Sequence, residues 1–124
     1  MKAVIFGVTG QDGSYLSEFL LEKGYKVIGV SRRASTDNTE RLKGVLDNPQ
    51  FTFMEGDVTD YISVSRIIND TQPDEVYNLA AQSHVQTSFN EPIHTWRTDA
   101  EGPLNILESV RRHAFKAKFY QAST

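Results

Sequence analysis

Cysteine is absent from the 124 residues of this chain. Disulfide bonds and thiolate metal sites are therefore excluded, and no other spacing of side chains predicts a metal site. Long apolar runs are also absent, since none approaches the roughly 20 residues that a membrane-spanning helix requires. The first apolar run ends at Gly7, too early for a secretion signal. We therefore expect a cytoplasmic protein without a membrane partner.

An excess of positive charge is lacking as well. The chain has 13 lysines and arginines against 16 acidic residues, which gives a formal net charge of -3. Phosphate backbones favour basic surfaces, so no nucleic-acid partner is expected. Hydrophobic residues make up 39% and charged residues 23%, a balance typical of one globular domain with a core.

Short apolar segments alternate with segments of helical periodicity. Strands are predicted at residues 2–6, 26–31, 51–54, 75–79 and 117–122. Helices are predicted at residues 13–23, 60–71 and 93–113, with a shorter one at 40–46. This order predicts an α/β fold in which a doubly wound parallel sheet carries helices on both faces. A parallel strand needs a crossover to cover it, so we interpret residues 1–124 as a domain truncated after its fifth strand.

Two helices carry predictions about which side faces the core. Val64, Ile67 and Ile68 are predicted to face inward from residues 60–71, with Asp60 as the N-cap. In residues 93–113 the predicted inward positions are Leu104, Leu107 and Val110. Pro103 lies inside that segment and should kink it, at a cost of about 3 kcal/mol.

A glycine-rich turn joins the first strand to the first helix. Gly7, Gly10 and Gly13 have the spacing Gly-x-x-Gly-x-x-Gly, with Thr9, Gln11 and Asp12 between them. Glycines leave room for a pyrophosphate near the backbone, and the N–H groups and dipole of the helix start attract its charge. The alternative is a merely tight strand–helix turn.

Two arginines, Arg32 and Arg33, follow the second strand, where the adenosine ribose of a bound dinucleotide would lie. Guanidinium groups offer forked donors to a 2′-phosphate, whereas an acidic residue would repel it. The pair therefore favours NADP over NAD. A solvated basic pair is the alternative.

Three further segments follow the remaining strands. Asp57 and Val58 follow the third strand, where a carboxylate can accept from the adenine amino group; helix capping by Asp57 is the rival interpretation. After the fourth strand, small residues allow a cofactor to pass close to the chain, although such loops are common. A hydroxyl pair, Ser123 and Thr124, ends the fifth strand, where a doubly wound sheet has its active site. The loop after the fourth strand contains Leu79, Ala80, Ala81, Gln82, Ser83 and His84.

Together these segments resemble the extended short-chain dehydrogenase/reductase family, and within it the GDP-mannose 4,6-dehydratases, over essentially the whole chain. The segments that carry the resemblance are residues 7–16 (GVTGQDGSYL), Arg32-Arg33, residues 79–85 (LAAQSHV), Ser88-Phe89 and residues 119–124 (FYQAST). Related epimerases usually carry TGxxGFIG and a different tail after LAA. The resemblance implies an NAD(P)-binding Rossmann fold.

The resemblance also implies roles for individual residues. Residues 7–12 match the pyrophosphate loop, and Arg32, Arg33 and Ser35 match the 2′-phosphate site. Asp57 and Val58 match the adenine site, and residues 79–83 match the ribose and nicotinamide side. Thr124 matches a catalytic threonine that hydrogen-bonds the sugar 4-hydroxyl. A homo-oligomer, dimeric or tetrameric, is implied as well.

The implied activity is the NADP-dependent dehydration of GDP-mannose to GDP-4-dehydro-6-deoxy-D-mannose, by a lyase of deoxyhexose biosynthesis. The family's catalytic Tyr-x-x-x-Lys pair does not occur among the five tyrosines present, so we expect these residues alone to bind NADP without turnover. Other nucleotide-sugar dehydratases or epimerases, or an NADP-sensing module without chemistry, are the alternatives. The chain departs from the family at His94, usually a tyrosine, and at Pro103, usually a threonine.

Overall fold

The computed structural model describes residues 1–32, 42–80 and 100–122. Its strands are β1 (Lys2–Phe6), β2 (Lys26–Ser31), β3 (Phe51–Glu55), β4 (Glu75–Asn78) and β5 (Lys118–Gln121). They pair in parallel, in the order β3-β2-β1-β4-β5. The chain moves outward from β1 to β3 and then crosses back to β4, so the strand order reverses between β1 and β4. The predicted doubly wound parallel sheet is confirmed.

The described helices lie on both faces of this sheet: α1 (Gln11–Glu22), α2 (Tyr61–Thr71) and α3 (Gly102–His113). Successive residues of β1 point to opposite faces. Val4 and Phe6 therefore pack in the cluster that holds the buried residues of α2 and α3. Ala3 and Ile5 pack in the cluster on the other face, which includes Leu20 of α1. Helices on both faces, as predicted, give two hydrophobic layers.

The helix α1 approaches the sheet through small residues. Gly13, Ser14 and Ser17 are buried together with Leu20, and the Ser17 hydroxyl donates to the Gly13 carbonyl at 2.8 Å. Tyr15 and Phe19 share the apolar spacing of this helix but point outward, with 60% and 52% of their surface exposed. The helix begins two residues earlier than predicted, because the chain turns at Gly10.

The helix α2 agrees closely with its sequence pattern. The Asp60 side chain accepts from the Ile62 N–H at 3.1 Å and so caps the helix, as predicted. Val64, Ile67 and Ile68 are buried, which confirms the predicted inward face. Here the capping residue and the apolar stripe are both local signals, and both point to the same helix.

The side chains of α3 that face the core differ from those predicted. Leu104 and Leu107 are exposed by 64% and 47%, so their predicted inward orientation is wrong, whereas Val110 is buried as predicted. The buried side is formed by Gly102, Ile106, Ser109 and Val110. Small residues let the helix approach its neighbours closely, and a pattern read from large apolar residues alone misses them.

Pro103 occupies the first turn of α3 and not its interior. A proline costs little there, because the first N–H groups of a helix have no intrahelical acceptor. Within the bounds Gly102–His113, Pro103 is therefore not an internal proline. A wider, π-type helical turn at Ala100 and Glu101 precedes it, and the predicted start at residue 93 lies outside the described residues.

The remaining differences concern boundaries. Residues 42–46, the described part of the predicted short helix, form turns in which the N–H groups of Val45 and Leu46 donate to the Leu42 carbonyl. β3 ends one residue later than predicted, β4 one residue earlier, and β5 is shorter by one residue at each end. β5 lies at the edge of the sheet formed by the described strands and is mostly exposed. Among the described residues, no helix is long and apolar enough to cross a bilayer.

Candidate functional site

The carboxyl ends of the five parallel strands meet along one edge of the sheet. Residues 7–13 follow β1, Arg32 follows β2, Asp57 lies beyond β3, and Leu79 follows β4. Between β1 and β4 the connecting helices leave toward opposite faces, and a crevice opens at such a switch point. The candidate segments predicted from separate parts of the sequence therefore share one edge.

Gly7 joins the exits of three strands. Its N–H donates to the Val30 carbonyl of β2 at 2.9 Å, and its φ of +81° lies in the left-handed region. A Cβ at this position would stand 2.6 Å from the Ala80 nitrogen beyond β4. The fold itself therefore requires glycine here, because both the backbone conformation and the contact with Ala80 exclude a side chain.

The other two glycines of the turn differ from each other. A Cβ on Gly13 would lie 2.5 Å from the Val8 carbonyl oxygen, so the approach of α1 to the turn requires glycine. Among the described residues, a Cβ on Gly10 would meet only the Gly7 oxygen, at 3.6 Å, and its φ of -73° suits any residue. Packing thus explains Gly7 and Gly13, whereas the part of the chain that the structure describes leaves the space over Gly10 open.

The start of α1 has the features of an anion-binding site. Within the described residues no side chain caps this helix, in contrast to α2, whose cap is Asp60. The first N–H groups of a helix lack intrahelical acceptors and lie at the positive end of its dipole. Gln11 and Asp12 are exposed beside them. An uncapped helix start above an open glycine is an arrangement that a phosphate group fits.

The exit of β2 is tied to its neighbours by hydroxyl and backbone groups. The buried Ser31 lies 3.4 Å from Thr9 (Oγ to Oγ1), and its carbonyl accepts from the Gly56 N–H at 3.0 Å. Arg32 follows directly and is exposed. Arg32, one of the two arginines that the sequence analysis selected, thus lies at the exit of β2, between the glycine turn and the exit of β3.

The loop from Asp57 to Asp60 follows β3, and we call it the β3 loop. The Asp57 Oδ1 accepts from both the N–H and the hydroxyl of Thr59, at 2.9 Å and 2.8 Å. Asp57 therefore closes this turn, and the capping role belongs to Asp60. Val58 is only 4% exposed, so any contact with a ligand falls to its backbone. The Val58 carbonyl accepts from the Asn105 side-chain amide at 2.8 Å, a contact that sequence reasoning missed.

A second contact missed by the sequence lies where β4 and β5 end. Asn78 is 1% exposed, and its Oδ1 accepts from the Ala80 N–H at 3.1 Å. Its Nδ2 donates to the Gln121 Oε1 at 2.8 Å. The Ala122 N–H donates to the Asn78 carbonyl at 3.1 Å. The only available signal was an asparagine near the end of the strand predicted at residues 75–79.

Several predicted site residues lie outside the described residues. The described set comprises Gly7, Thr9, Gly10, Gln11, Asp12, Gly13, Arg32, Asp57, Val58, Leu79 and Ala80. The structure brings these to the same edge of the sheet. Those outside it are Arg33, Ser35, Ala81, Gln82, Ser83 and Thr124, together with His84 and His94.

Comparison with known proteins matches this chain to one family. The family model for GDP-mannose 4,6 dehydratase matches residues 4–124. The chain belongs to the GDP-mannose 4,6-dehydratase family. A GDP-mannose 4,6-dehydratase of Yersinia enterocolitica is 52% identical over 130 aligned positions, which cover 99% of this chain and 35% of that protein. The chain thus spans about a third of the length of the dehydratases it matches, and the resemblance found in the sequence is confirmed.

Solved structures give the same fold. The Bordetella bronchiseptica enzyme WbmH, in complex with NAD+, has a TM-score of 0.75 and 34% identity over 90% of this chain and 35% of its own. A Thermotoga maritima UDP-glucose 4-epimerase with UDP-glucose has a TM-score of 0.85 and 32% identity over 100% of this chain and 38% of its own. The Rossmann fold predicted for this dehydratase family member is therefore confirmed.

Proposed function

We propose that this chain is the NADP-binding part of an enzyme that dehydrates GDP-mannose to GDP-4-dehydro-6-deoxy-D-mannose. Membership of the dehydratase family supports the reaction. The observation that carries the cofactor assignment is the open space over Gly10 at the uncapped start of α1. A pyrophosphate group at that position explains why glycine stands where helix N–H groups emerge, since the packing of the described residues does not require it.

The pyrophosphate lies over the turn of residues 7–13 in this proposal. Gly7 and Gly13 shape the turn, and Gly10 lets the phosphates approach the backbone. N–H groups from Gln11, Asp12 and Gly13 donate to the phosphate oxygens, helped by the dipole of α1. The Thr9 hydroxyl, held near Ser31, faces the same side.

The adenosine end lies across the exits of β2 and β3. Arg32, Arg33 and Ser35 bind the 2′-phosphate, and this assignment selects NADP over NAD. Asp57 accepts from the adenine amino group, and the Val58 N–H lies beside the ring. Support for this placement comes from the β3 loop, in which Asp57 and Val58 are fixed by Thr59 and Asn105.

The nicotinamide end lies toward β4 and β5. Leu79, Ala80, Ala81, Gln82 and Ser83 line the ribose and nicotinamide, and Thr124 hydrogen-bonds the sugar 4-hydroxyl. A bound NADP⁺ would supply the hydride chemistry of the dehydration, between C4 and C6 of the hexose. The sugar therefore has to approach near the end of β5, beside the strand that carries Leu79 and Ala80. The close packing of Gly7 against Ala80 supports a cofactor that crosses from β1 to β4.

Two measurements test this function. Calorimetry on the purified chain should show NADP binding more tightly than NAD by about 10-fold or more, since hydrogen bonds to charged groups contribute about 1.5–3 kcal/mol. Chromatography should show that the full-length gene product converts GDP-mannose to a 4-keto-6-deoxy sugar and leaves dTDP-glucose and UDP-glucose unchanged. If GDP-mannose stayed unchanged while dTDP-glucose or UDP-glucose was consumed, the substrate assignment would be wrong. If the chain bound no dinucleotide, the whole proposed function would be wrong.

A further inference from the structure

We propose that Asn105 of α3 is a positioning residue for adenine recognition and sets the preference of the site for the 6-amino group. The inference rests on the proposed function, because it assumes that Asp57 meets the adenine ring. Asn105 itself lies 47 positions along the chain from Val58, and its side chain acts through the β3 loop. It has no direct contact with the cofactor in this proposal.

One peptide group links Asn105 to Asp57. The Asn105 Nδ2 donates to the Val58 carbonyl oxygen at 2.8 Å. The N–H of the same peptide group, which belongs to Thr59, donates to the Asp57 Oδ1 at 2.9 Å. A peptide group is planar and rigid, so the direction of its carbonyl fixes the direction of its N–H. Asn105 therefore orients the donor that holds the Asp57 carboxylate.

Within the described part of the chain, one oxygen of the Asp57 carboxylate accepts no hydrogen bond and is available to a ligand. The Thr59 hydroxyl also donates to Oδ1, at 2.8 Å, so both described bonds to this carboxylate end on the same atom. Oδ2 is then the oxygen that can accept from an adenine amino group. If the Val58–Thr59 peptide rotates, both the N–H and the carboxylate it holds lose this orientation.

Close packing keeps α3 against the same loop. A Cβ on Gly102 would stand 2.9 Å from the Val58 Cγ2, so the first turn of α3 lies directly against this side chain. Val58 is buried in the cluster that includes Ile106 and Val64. The helix thus holds the loop by a hydrogen bond at the Val58 carbonyl and by contact at the Val58 side chain.

A purely structural role for Asn105 predicts a different outcome from a positioning role. If the bond only satisfied the hydrogen-bonding need of a buried carbonyl, its loss would lower the stability of the protein. It would also weaken the binding of all dinucleotides by the same factor. If it orients Asp57, its loss weakens binding of adenine more than binding of hypoxanthine. Hypoxanthine carries a carbonyl in place of the 6-amino group and gains nothing from the Asp57 carboxylate.

The test compares NADP with deamino-NADP, its hypoxanthine analogue, by calorimetry on the purified chain. The unaltered chain should prefer NADP by about tenfold, the usual value of one hydrogen bond to a charged acceptor. Asn105→Leu should reduce this preference to less than about threefold, mainly through weaker NADP binding. Asn105→Gln, which keeps the amide donor, should restore part of it. Asn69→Leu, the same exchange at an exposed position of α2, should leave the preference unchanged.

An unchanged preference in a folded Asn105→Leu protein would overturn the inference while the proposed function stands. Asn105→Asp, which keeps the shape and removes the donor, gives the same comparison if the leucine variant does not fold. An unaltered chain that binds both dinucleotides equally would overturn the adenine role of Asp57 and this inference with it. An unaltered chain that binds neither would instead overturn the proposed function.

Discussion

Asn78 and Gln121 join the ends of two neighbouring strands through their side-chain amides, with 2.8 Å between the Asn78 Nδ2 and the Gln121 Oε1. The buried Asn78 also accepts from the Ala80 N–H, and the Gln121 Nε2 donates to the Ala122 carbonyl at 3.1 Å. These bonds connect the two chain segments that leave β4 and β5 toward the proposed nicotinamide side. The relative position of those segments therefore depends on two amides far apart in sequence.

The first prediction concerns this amide pair. Gln121→Met removes the acceptor for a buried donor, and we expect the free energy of unfolding to fall by about 1–2 kcal/mol. Gln121→Glu keeps an acceptor oxygen and should lose clearly less. Urea unfolding of the two variants measures the difference. Equal losses would show that the Asn78 amide does not need this partner.

The second prediction separates the glycines of the turn. Gly13→Ala places a Cβ 2.5 Å from the Val8 carbonyl oxygen, so it should lower the free energy of unfolding by about 3 kcal/mol. Gly10→Ala should lower the free energy of unfolding by about 1 kcal/mol or less. Gly10→Ala should nevertheless weaken NADP binding at least 10-fold, by roughly the loss of one charged hydrogen bond. Thermal unfolding and calorimetry measure the two effects. A folded Gly10→Ala protein with full affinity would place the pyrophosphate elsewhere.

The third prediction concerns cofactor preference. Arg33→Ala should remove most of the preference for NADP over NAD, and Arg32→Ala should reduce it, because each removes a forked donor to the 2′-phosphate. NAD lacks this phosphate, so its affinity should change little. Arg66→Ala, at an exposed position of α2, is the matched control and should leave the ratio unchanged. Unchanged selectivity in both site variants, measured by calorimetry, would rule out the arginine assignment.

The fourth prediction is a loss of stability at alkaline pH. Burial, together with a hydrogen bond to Glu75, raises the pKa of Tyr77 above its ordinary value of 10.0, and the pKa of Tyr25 is raised for the same reasons. Both hydroxyls donate to Glu75, Tyr77 at 2.7 Å and Tyr25 at 3.1 Å. A group whose pKa is raised in the folded state contributes a stabilising free energy. This contribution is fully present below the unfolded-state pKa and is lost as pH rises through the folded-state pKa.

The free energy of unfolding should therefore decrease above about pH 10. Tyr77→Phe should flatten this decrease and be less stable than the unaltered chain at neutral pH, because it loses the bond to Glu75. Tyr15→Phe, at an exposed position of α1, should keep the original profile. Urea unfolding between about pH 8 and pH 11 measures the three profiles. A Tyr77→Phe profile that coincides with that of the unaltered chain would contradict the assignment to this hydroxyl.

Local sequence patterns were sufficient to predict that the five strands exist and where most of the described helical residues lie. The bounds of β1 and β2 follow directly from their short apolar runs, and the buried side of α2 follows from Val64, Ile67 and Ile68. The predicted inward side of α3 was wrong at Leu104 and Leu107, although right at Val110, because apolar residues stand on more than one side of this helix. Leu104 and Leu107 mark one of them, whereas the smaller Gly102 and Ser109 mark the side that is buried.

The sequence by itself determined that a glycine-rich turn and two arginines follow the first two strands of a parallel sheet. It could do so because the residues of each motif are adjacent and their chemistry is local. Only the tertiary structure decided which glycine is free of packing, and which amides fix the loops around it. Gly10 differs from Gly7 and Gly13 because only the latter two pack against Ala80 and Val8 among the described residues. Asn105 reaches Val58 only because α3 packs against α2 and the β3 loop. Such contacts depend on distances between segments remote in sequence, which no local pattern specifies.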